Sequence, residues 1–294
     1  MKNNIIFIIN PIARKGKGKI VASRIQQFFH EKSINIQISF TEKSGHATEL
    51  TKQLISLKPN AIVACGGDGT INEVAQALVG TDIALGIIPI GSGNGLAANL
   101  HIPKSIDNAL ETILKQKTKT IDAGKINHQY FFSNIGFGID AAVIEQYAQT
   151  KKRNFLGYVS ASTKALFQYK AKSFSIKIDD EKELKNDYYF LFCSNSNEAG
   201  YGISFSPKAK LNDGKLDFLA IKKLNFIQQI QFSICVLLKR IEKMNQAEVL
   251  QIRSANFINN DAETIAQIDG EAVVLNEKNI EVSVVSNALH VIIP

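Results

Sequence analysis

The period of the apolar residues changes several times along this chain, and each change marks a predicted element. Ile5–Ile9 is an unbroken apolar run, the pattern of a strand buried on both faces. Ile34–Phe40 alternates as a half-buried strand does. Ala61–Ala64 runs into Gly66-Gly67-Asp68-Gly69-Thr70, after which Ile71, Val74, Ala75 and Leu78 recur at i, i+3, i+4 and i+7, as on one face of a helix. Thr70 and Glu73 have the T-x-x-E spacing of a capping box that would start this helix. Ala84–Ile90 repeats the theme, an apolar run entering a second glycine turn, Gly91-Ser92-Gly93-Asn94-Gly95. Ser105 can cap a further helix with the apolar face Ile106, Ala109, Leu110, Ile113 and Leu114. Alternating strands and helices predict an α/β domain with a parallel sheet.

Strand signals dominate after about residue 125. Tyr130–Asn134, Phe174–Ile178, Asp187–Cys193, Leu216–Ile221, Leu250–Ile258, Ala262–Ile268, Ala272–Leu275 and Ile280–Val285 are separated by turn clusters such as Asp179-Asp180-Glu181 and Asn212-Asp213-Gly214. Two helices interrupt them, Tyr158–Tyr169 behind the basic run Lys151–Arg153, and a long amphipathic one over Phe226–Met244. A second, mostly antiparallel β domain is expected over 126–286. Residues 1–125 with a closing strand in 287–294 form the first domain, a division suited to a chain of 294 residues.

A glycine turn between a buried strand and a helix presents free N–H groups and the positive end of the helix dipole at one point, which suits phosphate. Asp68 would repel an anion there unless it meets a magnesium ion or a substrate hydroxyl; alternatively it is a local acceptor within an ordinary tight turn. Two such turns on neighbouring parallel strands lie where open α/β sheets place ligands. The segment Asn10-Pro11 to Lys19 carries glycines and basic residues and reads as a flexible cationic loop before a helix near Ile20, without Walker A spacing. His46 has no second histidine or cysteine nearby, so a ligand or acid/base role rests on that residue alone.

Composition narrows the classes. The formal charge of +7 suits phosphorylated ligands or an anionic membrane surface as well as plain solubility. No nucleic-acid-binding signature accompanies it, and nucleic acid is not expected as a partner. Cys65, Cys193 and Cys235 form no paired motif, which argues against a disulfide framework or zinc site and fits a reducing cytoplasm. Neither Ile5–Ile9 nor Phe226–Leu238 reaches the roughly 20 apolar residues of a membrane span.

Gly66-Gly67-Asp68-Gly69-Thr70 resembles the nucleotide-binding motif of the diacylglycerol kinase and sphingosine kinase superfamily, shared by the more distant NAD kinases. Asn10-Pro11, Gly91–Asn94, Gly136–Asp140, Asp213–Asp217 and Asp269–Glu271 resemble further family segments in the same order, so the likeness runs along nearly the whole chain. It implies an NAD kinase-like nucleotide domain followed by a β-sandwich, and transfer of the γ-phosphoryl of ATP to a lipid hydroxyl with Mg2+. ATP contacts are implied for Asn10, Thr41, Gly66, Gly67, Asp68, Gly69, Thr70, Glu73, Ser92, Gly93 and Asn94. Bacterial diacylglycerol kinases usually read G-T-x-N-D at the second turn; Ser92 and Gly95 depart from that toward the sphingosine kinase form, which leaves the acceptor open.

The resemblance implies that Asp140 meets the lipid head in a cleft between the domains, with a helix N-cap as the alternative role. It implies Mg2+ on Asp213 with the backbone carbonyls of Lys210 and Lys215, with a plain hairpin turn as the alternative. Asp122 matches an aspartate in the family's link between domains. The proton acceptor is Asp68 or Glu271. The implied partners are ATP and a membrane-presented lipid, reached by peripheral contact from the cytoplasmic side; self-association into a homodimer is left open. Two other readings stand beside this one: an NAD kinase, for which Asn197-Glu198 would be the acceptor-binding dipeptide, and a binding module without catalysis.

Overall fold

The computed structural model describes residues 4–16, 18–91, 93–148, 155–197, 204–259 and 263–294. The chain divides into two compact units, Met1–Ile121 with Asn287–Pro294, and Asp122–Ser286.

The first unit is a parallel α/β structure. Its strands β1 (Ile5–Ile9), β2 (Ile36–Phe40), β3 (Ala61–Gly66) and β4 (Ala84–Pro89) lie in the order β2-β1-β3-β4 and are all parallel. Every residue of β1, β3 and β4 is buried, as their unbroken apolar runs require when helices cover both faces. The helices are α1 (Ala13–Gly16), α2 (Gly18–Glu31), α3 (His46–Leu54), α4 (Asp68–Leu78), α5 (Gly95–Asn99) and α6 (Ile106–Lys115). Helix α2 buries Val21, Ala22, Ile25, Phe28 and Phe29, one face at helical spacing, against the core that contains Phe7, Val63 and Leu110.

The cationic loop expected before Ile20 is largely helical. Gly16 ends α1 at φ +84°, and α2 starts at Gly18, where a Cβ would stand 2.6 Å from the Asn10 carbonyl oxygen. The two glycines thus fold the segment tightly onto Asn10-Pro11.

The second unit is an antiparallel β-sandwich with helices. Its strands are β5 (Thr118–Ile126), β6 (Gln129–Phe131), β7 (Asn134–Gly138), β8 (Lys172–Ile178), β9 (Lys182–Ser194), β10 (Leu216–Lys222), β11 (Ala247–Ile252), β12 (Ser254–Ile258), β13 (Thr264–Ile268), β14 (Glu271–Leu275) and β15 (Asn279–Ile292); α7 (Ile139–Ala148), α8 (Phe155–Gln168) and α9 (Phe226–Leu237) complete it. β5 starts in the first unit and β15 ends there, where Val291 pairs with Leu85.

Alternation along the strands divides the apolar residues of this unit between two cores. Leu191 and Cys193 of β9, with Phe218 and Ala220 of β10, point into one core around Phe137 and Phe257. Phe190 and Phe192, with Leu219 and Ile221, point into the other, which α7, α8 and α9 cover.

Several boundaries differ from the expected ones. Leu250–Ile258 is two strands, because Asp179 accepts the amides of Arg253 (2.9 Å) and Ser254 (2.7 Å) at the break. Ile280–Val285 and the closing segment are one strand, β15, bent at Asn287 with φ 52°. The long helix over Phe226–Met244 stops at Leu237, and Ile241–Lys243 forms a separate 3-10 turn.

Phe257 is fully buried, with ring centroids 5.0 Å from Phe137 and 6.2 Å from Phe218. Phe257→Ala should therefore cost about 3–5 kcal/mol of stability in denaturant unfolding followed by circular dichroism. A loss below about 1 kcal/mol would show that this core is not packed as described.

Candidate functional site

The carboxyl ends of the parallel strands of the first unit fall level. Ile9 pairs with Phe40 and Cys65, and Gly66 with Pro89, so Asn10, Thr41, Gly67 and Ile90 leave the sheet at one edge. Ligands bind at that edge in open α/β sheets.

Helix α4 starts on Gly67 with no side-chain acceptor at its cap, and the amide of Ile71 is the one that bonds back to the Gly67 carbonyl, at 3.0 Å. The amides of Gly69 and Thr70 precede that first intrahelical bond and face outward at the positive end of the dipole. The expected Thr70–Glu73 capping box does not form, because the helix begins two residues before Thr70. Instead the Thr70 hydroxyl lies over Gly66, where any Cβ would collide with it, and accepts from Asn10 Nδ2 at 3.4 Å.

Glu73 turns away from the turn. Its carboxylate accepts the amides of Gly45 (2.8 Å) and Ala47 (2.9 Å), and the Thr48 hydroxyl donates to its carbonyl, so Glu73 braces α3 against α4. This occupation of both oxygens gives Glu73 a structural part where a nucleotide contact was expected. His46 Nδ1 accepts the Glu42 amide at 3.0 Å, a bond local to its loop. Thr41 is buried, and its amide donates to the Ile9 carbonyl at 3.0 Å, extending the β1–β2 ladder.

Asp68 occupies the centre. Its Oδ2 accepts the Asn94 amide and its Oδ1 the Gly95 amide, both at 2.7 Å. Burial raises its pKa above the ordinary carboxylate value, against the lowering effect of those amides. The second turn is closed on itself: Asn94 adopts φ 56°, accepts the Gly91 amide at 3.1 Å and donates to the Gly91 carbonyl at 2.8 Å. Gly91 lies against Gly67 so closely that a Cβ on it would collide with the Gly67 Cα, and a Cβ on Gly93 would reach Asp68 Oδ2 at 2.7 Å. Ser92 lies outside the described residues.

The second unit holds the other candidates. Asp269, at φ 49° in the β13–β14 turn, accepts the amides of Phe132 (2.8 Å), Ser133 (2.7 Å) and Asn134 (3.0 Å), and so ties this turn to the start of β7. Gln267 accepts the Gly270 amide at 2.8 Å and donates to Asn134 Oδ1. Glu271 follows at the exposed start of β14.

Asp140 sits in the first turn of α7 and is buried, with its Oδ2 over Gly136 and without a hydrogen-bond partner. Burial pushes its pKa up to about 7, opposed by a hydrogen bond with Gln267. Gln267, bonded to Gly270 in the Asp269–Glu271 turn, thus also lies near Asp140. Sequence spacing offers no signal for this proximity, since the partners lie on separate elements and become neighbours through sheet register.

The Asp213 turn is docked on β5, where Asp122 accepts the Gly214 amide at 2.7 Å and donates its own amide to Leu211 at 2.6 Å. Asp213 is exposed and accepts the Lys215 amide at 3.2 Å, while Lys215 Nζ donates to Gln251 at 3.2 Å. Burial, and then the charge of Asp213, raise the pKa of Asp217, which is buried while Asp213 is exposed. Mg2+ accepts oxygen donors such as a carboxylate with carbonyls and water, and the exposed Asp213 carboxylate is a donor of that type. Among the described residues no three His, Cys, Asp or Glu side chains group to enclose a metal. Lys151–Arg153 and Glu198 lie outside the described residues.

Residues 4–126 match the family described as Diacylglycerol kinase catalytic domain, and residues 133–293 the YegS C-terminal NAD kinase beta sandwich-like domain. A diacylglycerol kinase of Bacillus subtilis is 28% identical over 90% of this chain and 88% of its own. A probable YegS-like lipid kinase of Yersinia pestis is 31% identical over 66% of this chain and 68% of its own. Among solved structures, a putative diacylglycerol kinase from Bacillus anthracis superposes with TM-score 0.82 at 23% identity, covering 99% of this chain and 97% of that one. Yeast NADH kinase superposes at 0.58 and 9% identity, covering 100% of this chain and 84% of that one, which is a likeness of fold.

Asp140 makes stability pH-dependent. Its folded pKa stands at about 7 against 3.8 for the free side chain. Between those values the folded state holds a proton that the unfolded state has lost, so stability falls as pH rises through the window. Asp140→Asn should flatten thermal stability between about pH 4 and 8 and raise it above wild type at pH 8. An unchanged pH slope in the variant would show that Asp140 is solvated.

Proposed function

The chain belongs to the diacylglycerol kinase and YegS-like lipid kinase superfamily, and from that premise we propose that it transfers the γ-phosphoryl group of ATP to the hydroxyl of a lipid. One observation carries the nucleotide half: helix α4 opens on Gly67 with no side-chain cap, and a second glycine turn is held against it by Asp68. Outward amides at a helix start, on backbone too close-packed for side chains, receive phosphate oxygens. Asn10 and Thr41 leave the same edge and border the nucleotide. The acceptor half rests on Asp140, whose unpartnered buried oxygen suits a hydroxyl donor on a lipid head.

Phosphoryl transfer depends on positioning and charge neutralisation. Mg2+, held by Asp213 with the carbonyls of Lys210 and Lys215, would supply positive charge to the phosphate oxygens. Two observations favour Glu271 over Asp68 as the proton acceptor in this reading. Both Asp68 oxygens are occupied by backbone amides, so Asp68 is a positioning residue that fixes the phosphate platform. Glu271 starts an exposed strand edge, beside the turn that Gln267 joins near Asp140, and is the proton acceptor of the acceptor hydroxyl. Among the described residues no helix is long and apolar enough to cross a membrane; in this reading the lipid is met by peripheral contact.

The test is incubation with γ-labelled ATP and, in parallel, a bacterial lipid extract and NAD. Label should enter lipid; label in NADP alone would contradict the lipid reading. Glu271→Gln should lower kcat by roughly 10²–10⁴-fold with little change in KM for ATP. A loss confined to KM would make Glu271 a positioning residue instead.

A further inference from the structure

Helix α9 is apolar on two opposite faces, and the fold covers one of them. At about 100° per residue, Phe226, Ile227, Ile230, Ile234, Leu237 and Leu238 fall within an arc of roughly 120°, and Phe232 lies opposite its centre. Phe232 is buried, with ring centroids 5.9 Å from Tyr189 and 5.6 Å from Phe190. The six residues of the other face stand in solvent, Ile227 at 76% and Leu237 at 80% of full exposure. A contiguous exposed apolar patch marks an interaction surface.

The helix is firmly built at both ends. Asn225 and Gln228 cap it reciprocally. At its other end Lys239 takes φ 54°, its amide bonds to Val236 at 3.1 Å, and that of Arg240 bonds to Cys235 at 2.8 Å, a left-handed stop. Lys222 and Lys223 precede the helix, and Lys239, Arg240 and Lys243 follow it; all are exposed, and among the described residues none forms an ion pair.

We propose that α9 docks the enzyme on membranes by laying its exposed face into the interfacial layer of an anionic bilayer, with the cations at both ends on lipid phosphates. The helix is about 18 Å long, too short to cross a core of about 30 Å but suited to lie in the interface plane. Charge selects lipid over a second copy of this chain. Two α9 helices packed face to face would bring cationic ends onto cationic ends in either orientation, whereas an anionic surface neutralises both. The kinase reading gives the enzyme a reason to visit a bilayer, and the proposal rests on it to that extent; the surface itself is argued from exposure and charge.

The chain contains no tryptophan, so Phe226→Trp is a clean reporter. Its emission should shift to the blue on vesicles of phosphatidylcholine mixed with phosphatidylglycerol, and less on phosphatidylcholine alone. The double variant Ile227→Gln/Leu237→Gln, altered on the exposed face, should lose at least about tenfold in partitioning to the mixed vesicles in co-sedimentation. It should phosphorylate detergent-dispersed lipid as wild type does. Partitioning of the double variant equal to wild type would overturn the proposal. So would a dimer in analytical ultracentrifugation that the same substitutions dissociate, which would make α9 a protein interface. Vesicle binding by wild type without transfer to dispersed lipid would overturn the kinase reading alone.

Discussion

A single carboxylate holds the two glycine turns of the first unit together. Asp68 accepts the amides of Asn94 and Gly95 from the loop after the neighbouring strand, so two glycine turns become one surface. Buried amides left without an acceptor cost about 1–3 kcal/mol each, and the loop has no second carboxylate bonded to these two amides. The glycines follow from this contact. Gly67 and Gly91 touch backbone to backbone, and Gly93 passes the Asp68 carboxylate at a distance that leaves no room for Cβ. The turns are glycine-rich because they pack on each other, and this packing lays bare the backbone on which the proposed phosphate site depends.

The same device recurs. Glu73 accepts the amides of Gly45 and Ala47, Asp122 that of Gly214, Asp179 those of Arg253 and Ser254, and Asp269 those of Phe132, Ser133 and Asn134. Acidic residues, whether in turns, on a helix or on a strand, are used here to join segments that are far apart in the chain. Asp140 differs: it is buried, lacks a partner for Oδ2, and has a pKa pushed up to about 7. A group kept at this energetic cost is where chemistry is expected.

This pattern explains what could be read from the sequence. The strands of the first unit were legible because a strand buried on both faces must be apolar throughout, and Ile5–Ile9 and Ala61–Ala64 are. The succession of motifs located the turns and their order along the chain. The partners of the acidic residues were not legible: Asp68 bonds 26 and 27 residues away, and Asp269 more than 130 residues away, through contacts without local periodicity. The T-x-x-E spacing at Thr70 misled because the helix starts two residues earlier, at Asp68, and Glu73 accepts the Gly45 and Ala47 amides instead. Helix α9 showed an apolar pattern in the sequence, but which face Phe232 anchors is decided by the β9 residues it meets.

The central claim is that outward amides of the 66–70 turn, held in place by the 91–95 turn, receive the nucleotide phosphates. Hydrogen–deuterium exchange with and without a non-hydrolysable ATP analogue and Mg2+ tests it most directly. Peptides covering both turns should exchange more slowly in the presence of the analogue, together with the segment after Ile9. Unchanged exchange in both turns, with protection elsewhere in the chain under the same saturating conditions, would contradict the account.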